Sequence, residues 1–266
     1  LNDVQKKGIK YYEDIQKRIP RSEIDEYQTI LASIFNDIKH KGSHFEIVGS
    51  YRRGTADSGD IDIIITDAQN NTDIFERFTT ALHERGIIID FLSKGKTKSL
   101  AMSKIPNHSP RRIDFMYSTP AEYAFAVLYF TGSASFNTVM RQRALNMGYT
   151  MNEHGIYHFK KNIKGDKIDI FFPDERSIFD FLGLEYKRPQ DRRDGRDIVV
   201  RATVEENAFG TTVVTKKHKV VGPSSEGQAS EGQASEGQAS EGQASEDIPS
   251  EKEPKRKKNI TLKNRM

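Results

Sequence analysis

The chain has 266 residues, 35% hydrophobic and 30% charged, with a net charge of +3 and no cysteine. The missing thiols exclude disulfides and thiolate metal sites and are compatible with a reducing compartment, while no apolar run approaches the roughly 18 residues of a membrane span. A monomer without a membrane partner is expected, and a charge this small neither demands nor forbids a polyanionic partner.

The chain opens on Leu1 rather than methionine, as a fragment or processed product would. After a short entry segment, Ser22 suits an N-cap, and Ile24, Tyr27, Leu31, Ile34 and Ile38 recur at helical spacing up to Gly42. His44 to Val48 reads as a strand feeding Gly49-Ser50-Tyr51-Arg52-Arg53-Gly54, and Gly59 to Thr66 as a second strand rich in isoleucine. Asp73 to Arg85 is a helix with Ile74, Phe75, Phe78 and Leu82 inward and Gly86 as its stop. Ile87 to Phe91, Leu100 to Ile105 and Arg111 to Tyr117 follow as strands, with Gly95 in a turn. Pro120 suits a first helical position ahead of Ala121 to Phe130, and a further helix spans Ser135 to Asn146 before Gly148. A β region at Tyr157–Phe159 and Ile168–Ile170 and a helix from Glu175 to Leu182 close the globule.

The remainder differs in kind. Residues 222–266 contain no aromatic side chain, and Ser225-Glu226-Gly227-Gln228-Ala229 occurs four times in succession through Ala244. A five-residue unit without an apolar face cannot build a solenoid core, so a flexible acidic linker is expected. Charge then reverses: residues 224–251 carry seven acids and no base, whereas 252–266 carry seven bases and one acid. The cluster Lys255-Arg256-Lys257-Lys258 is of the kind that directs nuclear import or touches polyanions without specificity.

Asp60 and Asp62 stand two apart on a strand, which puts both carboxylates on one face and Ile61 and Ile63 on the other. By itself such a pair is more readily two solvent-facing acids at a sheet margin. A cation would relieve their repulsion, and oxygen-seeking Mg²⁺ is the natural choice. The neighbours strengthen that choice. Gly49-Ser50 offers backbone N–H groups and a hydroxyl to phosphate oxygens, Arg52 and Arg53 add positive charge, and Asp114 adds a third acid with Arg112 on the same face. Three carboxylates, a phosphate cradle and arginines are the parts of a two-metal nucleotidyl transfer site.

On these residues the chain resembles the family X DNA polymerases, nearest to the beta type. The resemblance runs from about Gly8 to Arg193. It is carried by Gly49-Ser50-Tyr51-Arg52-Arg53-Gly54, Ser58-Gly59-Asp60-Ile61-Asp62, Arg111-Arg112-Ile113-Asp114 and Tyr129-Phe130-Thr131-Gly132-Ser133. It implies an α/β (α+β) fold: a nucleotidyltransferase palm with a mixed sheet over 21–118, a smaller helical and β subdomain binding nucleotide and template over 119–193, a remnant of a DNA-binding subdomain over 1–20, and a disordered tail over 194–266. It implies Asp60, Asp62 and Asp114 as catalytic ligands of two Mg²⁺ ions, replaceable by Mn²⁺. It further implies dNTP contacts from Arg21, Gly49, Ser50, Arg53, Ser58, Gly59, Tyr129, Phe130, Gly132 and Asn137, and primer-template or gapped-DNA contacts from Lys98, Arg112 and Arg141.

The chain departs from the family pattern at Ala134, Met116 and Thr138, where an acid, an arginine and a lysine are usual; each change would tune affinity or fidelity. The resemblance includes no Schiff-base lysine domain, so no sugar-phosphate lyase activity is expected. A templated, gap-filling polymerase is the leading expectation, and Tyr129-Phe130 resembles the template-dependent members. An untemplated nucleotidyltransferase and a non-catalytic DNA-end binding module remain as alternatives.

Overall fold

The computed structural model describes residues 1–201, 204–206 and 212–214. The acidic repeats and the basic cluster fall outside them. The chain enters through α1 (Asp3–Lys10), capped reciprocally by Asn2 and Gln5, and the single turn α2 (Tyr12–Ile15). Then come β1 (Ile19–Pro20), α3 (Arg21–Ile38), β2 (Ser43–Ile47), the turn α4 (Gly49–Arg52), β3 (Asp57–Ser58), β4 (Ile61–Asp67) and α5 (Asp73–Glu84). β5 (Ile88–Lys94), β6 (Lys98–Ser103) and β7 (Arg111–Tyr117) complete a five-stranded sheet of order β2-β4-β7-β6-β5. It is mixed: β4 and β7 run parallel, and every other neighbouring pair is antiparallel.

The second part is built from α6 (Tyr123–Thr131), α7 (Ala134–Asn146), β8 (Tyr149–Asn152), β9 (Gly155–Lys160), β10 (Ile163–Lys167) and α8 (Glu175–Phe181). Its sheet has the order β10-β9-β8. Two 3₁₀ turns follow, Pro189–Asp191 and Gly195–Asp197, and β11 (Val204–Glu206) pairs antiparallel with β12 (Thr212–Val214). Among the described residues no helix is long and apolar enough to cross a membrane.

One face of the large sheet is covered by α3 and α5. Ile61, Ile63 and Ile65 of β4 and Ile113, Phe115 and Tyr117 of β7 meet Ile24, Tyr27 and Leu31 from α3 and Ile74, Phe75, Phe78 and Leu82 from α5. Helix α6 explains how the second part attaches. Its sequence is apolar all round, which suits a helix buried on two sides. Ala126 and Val127 pack on Ile64 and Val48 from the opposite face of the large sheet, while Ala124, Phe125 and Leu128 join the second core with Phe136, Met140, Ile156, Ile178 and Phe179.

The structure corrects several sequence expectations. The third helix begins at Arg21, with Pro20 in the capping position and no side-chain cap. Strand pairing of Ile19–Pro20 with Asp57–Ser58, extended by the Arg21 N–H donating to the Ala56 carbonyl at 2.9 Å, anchors that start without Ser22. Gly49 to Arg52 form a helical turn. Pro120 lies in the turn before α6, which starts only after Glu122. Ile168–Ile170 is not a strand. The tight turn at Lys161 and Asn162, both at positive φ, pairs Ile163–Lys167 with β9 instead and leaves Ile168 buried. The ordered chain also continues past residue 193: Ile198 is buried and Val200 bridges Leu184.

Phe78 has no exposed surface and meets the rings of Phe35, Phe45 and Phe115 with centroids 4.9–6.1 Å apart. Truncation would leave a cavity among rings held by three different elements. Phe78→Ala is expected to lower unfolding free energy by about 3–5 kcal/mol in urea denaturation, and a loss below about 1 kcal/mol would contradict this packing.

Candidate active site

The two parallel strands bring the acids together. Ile61 lies opposite Ile113 and Asp62 opposite Asp114, so the isoleucines face α3 and α5 while the carboxylates share the other face. Asp60 sits in the bend leading into β4. One oxygen from each of Asp60, Asp62 and Asp114 lies within 4.8 Å of the others. Burial, and after it the charges of Asp60 and Asp114, push the Asp62 carboxyl well above the usual range, only partly offset by Arg112 and Arg53. Burial likewise raises Asp114 against the pull of Arg112. Three hard oxygen donors repelling one another in a half-buried cluster are a fit for a divalent cation that prefers oxygen ligands.

The surrounding residues close on this cluster. Arg112 grips Asp114 through two hydrogen bonds, Nε to Oδ1 at 3.1 Å and Nη2 to Oδ2 at 2.7 Å. Gly49 adopts a φ of +62°, and a Cβ there would collide with the Asp62 carboxylate. Glycine is therefore required both by the backbone and by the nearness of the acid. Ser50 Oγ donates to Ser58 Oγ at 2.7 Å, joining the two short segments on either side of the Arg53 turn. Arg53 donates to the Thr131 carbonyl at 2.6 Å, and a Cβ on Gly132 would lie 3.2 Å from its guanidinium. Lys98 begins β6 opposite Met116, close enough for its charge to act on Asp114.

Tyr129 and Phe130 end α6 with their rings edge to face at 5.2 Å. Phe130 packs beside Ile64 and Met116, which share the sheet face of the acids. Asn137 donates its amide to the Tyr129 carbonyl at 2.6 Å, tying α7 to α6. Two other expected residues make no hydrogen bond or ion pair with the acids among the described residues. Arg21 is held over the Tyr51 ring at 4.2 Å with its Nη1 on the Tyr51 carbonyl, and Arg141 is exposed on α7.

Arg52, read from sequence as charge for a phosphate, is committed elsewhere. It donates to Glu46 at 2.7 Å, to Thr131 Oγ1 at 2.9 Å and to both oxygens of Glu175 at 3.1 and 2.9 Å. Glu175 also accepts from Arg192, a fully buried arginine ringed by Phe136, Phe179 and Tyr186. Tyr123 completes the network on Glu46 at 3.0 Å. These residues lock the turn carrying Ser50 and Arg53 to the helices carrying Tyr129 and Asn137. Sequence reasoning missed them because Arg52 and Glu175 are 123 positions apart, and the sole local signal was a glutamate just inside an Asp174 N-cap.

Residues 18–120 match the family model of the DNA polymerase beta palm, and residues 126–193 that of the DNA polymerase beta thumb. Curated relatives include DNA polymerase lambda of Rattus norvegicus, 33% identical over 202 residues, covering 70% of this chain and 35% of that protein. DNA polymerase lambda of Arabidopsis thaliana is 29% identical, over 72% of this chain and 40% of that protein. A DNA nucleotidylexotransferase of Xenopus laevis is 25% identical, over 72% of this chain and 44% of that protein. The chain thus spans less than half the length of each of these relatives.

Burial alone would raise the Glu175 carboxyl, but hydrogen bonds from Arg192 and Arg52 outweigh it and hold the group below the usual carboxylate range. Its contribution is therefore complete above the unfolded-state value of about 4.3 and is lost as pH falls through the depressed folded value. Glu175→Ala is expected to cost about 3–5 kcal/mol near neutral pH, because the fully buried Arg192 loses its carboxylate partner and the half-buried Arg52 loses one of two. In urea denaturation the gap from wild type should shrink as pH drops below about 4, and a gap independent of pH would contradict the ion-pair reading.

Proposed function

Because this chain belongs to the family X DNA polymerases, we propose that it is a template-directed DNA polymerase that fills gaps, transferring a deoxynucleotide from dNTP to a primer 3′-hydroxyl. The observation that carries this reading is the convergence of Asp60, Asp62 and Asp114 beneath the Tyr129–Phe130 end of α6. The primer 3′ oxygen attacks the α-phosphorus, the bond to the pyrophosphate breaks, and the hydroxyl proton leaves with the help of a neighbouring base.

Asp60, Asp62 and Asp114 would hold two Mg²⁺ ions, which supply a more acidic 3′-hydroxyl and neutralise charge on the departing pyrophosphate. Asp114 is the carboxylate assigned to the 3′-oxygen side, where it assists removal of the proton, and Arg112 fixes its orientation. The Gly49–Ser50 turn, Ser58, Gly59 and Arg53 bind the triphosphate, with Arg21 at the edge of the site. Tyr129, Phe130 and Gly132 wall the sugar and exclude a 2′-hydroxyl. Asn137 reads the minor-groove edge of the base, Arg141 holds the template, and Lys98 and Arg112 steady the primer backbone. Residues 21–118 act as the palm and 119–193 as the nucleotide and template subdomain. The protein works as a monomer, and the Lys255–Lys258 cluster directs it to the nucleus.

Untemplated addition to a DNA end is the second reading, favoured by the likeness to a nucleotidylexotransferase. Primer extension on a one-nucleotide gapped duplex with Mg²⁺ separates the two. Incorporation of the templated base alone is expected, and Asp114→Ala should slow turnover at least about 100-fold with little change in dNTP affinity. Addition of all four nucleotides would support the transferase reading, and undiminished turnover in Asp114→Ala would refute the role given to that residue.

A further inference from the structure

The β9–β10 hairpin projects from the second core as a basic finger that nothing in the candidate active site uses. Residues 160–167 read Lys-Lys-Asn-Ile-Lys-Gly-Asp-Lys, four lysines against one acid, and all eight are exposed. Lys167 lies 3.9 Å from Glu122. No ion pair among the described residues engages Lys160, Lys161 or Lys164; Lys164 instead rests over the Tyr157 ring at 3.5 Å, which leaves its charge available. β10 is the edge strand, and a single lysine is enough to blunt an edge against pairing. Here two of the three unpaired lysines belong to the tip rather than the edge. Lys161 occupies a left-handed turn position, with φ of +51°, that asparagine or glycine would fill more readily. Beneath the tip, His158, Lys160, Lys161, Ile163 and Gly165 line an open groove of about 420 Å³.

Position favours a nucleic-acid backbone as the partner. β8 follows α7 and packs against it, and β9 and β10 add two further strands outward. At the usual strand spacing of about 4.8 Å, β9 lies one step and β10 roughly 10 Å beyond β8, the distance over which a DNA strand presents its next phosphate or two. From this we propose that Lys160, Lys161 and Lys164 form a separate, sequence-independent contact with the phosphates of the DNA arm that continues past α7. The inference rests on the DNA-polymerase reading for the identity of its ligand, but its test needs no catalysis.

The test is fluorescence anisotropy of a labelled gapped duplex titrated with the full chain, without dNTP, over a series of salt concentrations. The variant Lys160→Glu/Lys161→Glu/Lys164→Glu is compared with Lys39→Glu/Lys41→Glu/Lys104→Glu, which changes net charge equally at exposed sites elsewhere. The hairpin variant is expected to bind at least about 10-fold more weakly and to lose about 2–3 units of the slope of log K against log salt, since each neutralised phosphate contributes about 0.9. The control should stay within about 2-fold of wild type, and thermal unfolding of both variants should match wild type. Unchanged affinity and slope in the hairpin variant, or an equal loss in the control, would overturn the proposal. Wild-type incorporation with unaltered binding of the hairpin variant would sink this inference alone. Hairpin-dependent binding without incorporation would leave it standing and remove the catalytic reading.

Discussion

Everything at the candidate active site depends on one parallel strand pair. Because β4 and β7 run the same way and in register, Asp62 faces Asp114 across a single ladder step, and the bend before β4 swings Asp60 alongside. The same register sends Ile61, Ile63, Ile113 and Phe115 into the main core. A shift by one residue would turn the acids inward and the isoleucines outward, so burial of the apolar face fixes the geometry of the polar one. The carboxylates cannot move apart, and burial, with the charges of Asp60 and Asp114 added to it, raises the Asp62 carboxyl well above the usual range.

The opposite requirement, a covering for the polar face that leaves the acids reachable, is met by α6. Its two-sided apolar surface fastens the second part to the sheet through Ala126 and Val127 and sets Phe130 beside Ile64 and Met116 on the sheet face of the acids. The joint is reinforced by buried charge. Glu175 between Arg52 and Arg192 binds α8, the Pro189–Asp191 turn and the Gly49–Arg52 turn into one unit. Ion pairs of this kind contribute little net stability against an apolar replacement, yet they penalise every arrangement that breaks them. That directional penalty suits a site whose candidate residues come from different cores.

Much of this was legible in the sequence. Alternation in Arg111–Tyr117 and along Ile61–Ile63 placed Asp62 and Asp114 on partly exposed strand faces, while Asp60, expected on the same strand, lies in the bend before it; helical periodicity located α3 and α5. What failed was context. Ser22 looked like a cap because the true start is fixed from outside the helix, where the Arg21 N–H donates to the Ala56 carbonyl of a distant loop. Arg52 and Arg53 are identical to a local reading, but only Arg53 is turned toward Asp62, whereas Arg52 is captured by an acid far along the chain. Ile168 to Ile170 has strand composition, yet the turn at Lys161 and Asn162 sets the pairing first. The closeness of Gly49 to the Asp62 carboxylate was not legible in the sequence, because it depends on how the Gly49–Arg52 turn packs on β4.

The central claim is that the acids are held together against their own repulsion in order to bind a divalent cation. The most direct measurement is the thermal unfolding temperature of wild type and Asp62→Asn, each with and without millimolar Mg²⁺. Removing one buried like charge should make Asp62→Asn more stable than wild type in the absence of metal. Added Mg²⁺ should then stabilise wild type by mass action and leave the variant almost unmoved. A wild-type protein that does not respond to Mg²⁺, or a variant that responds equally, would contradict the account.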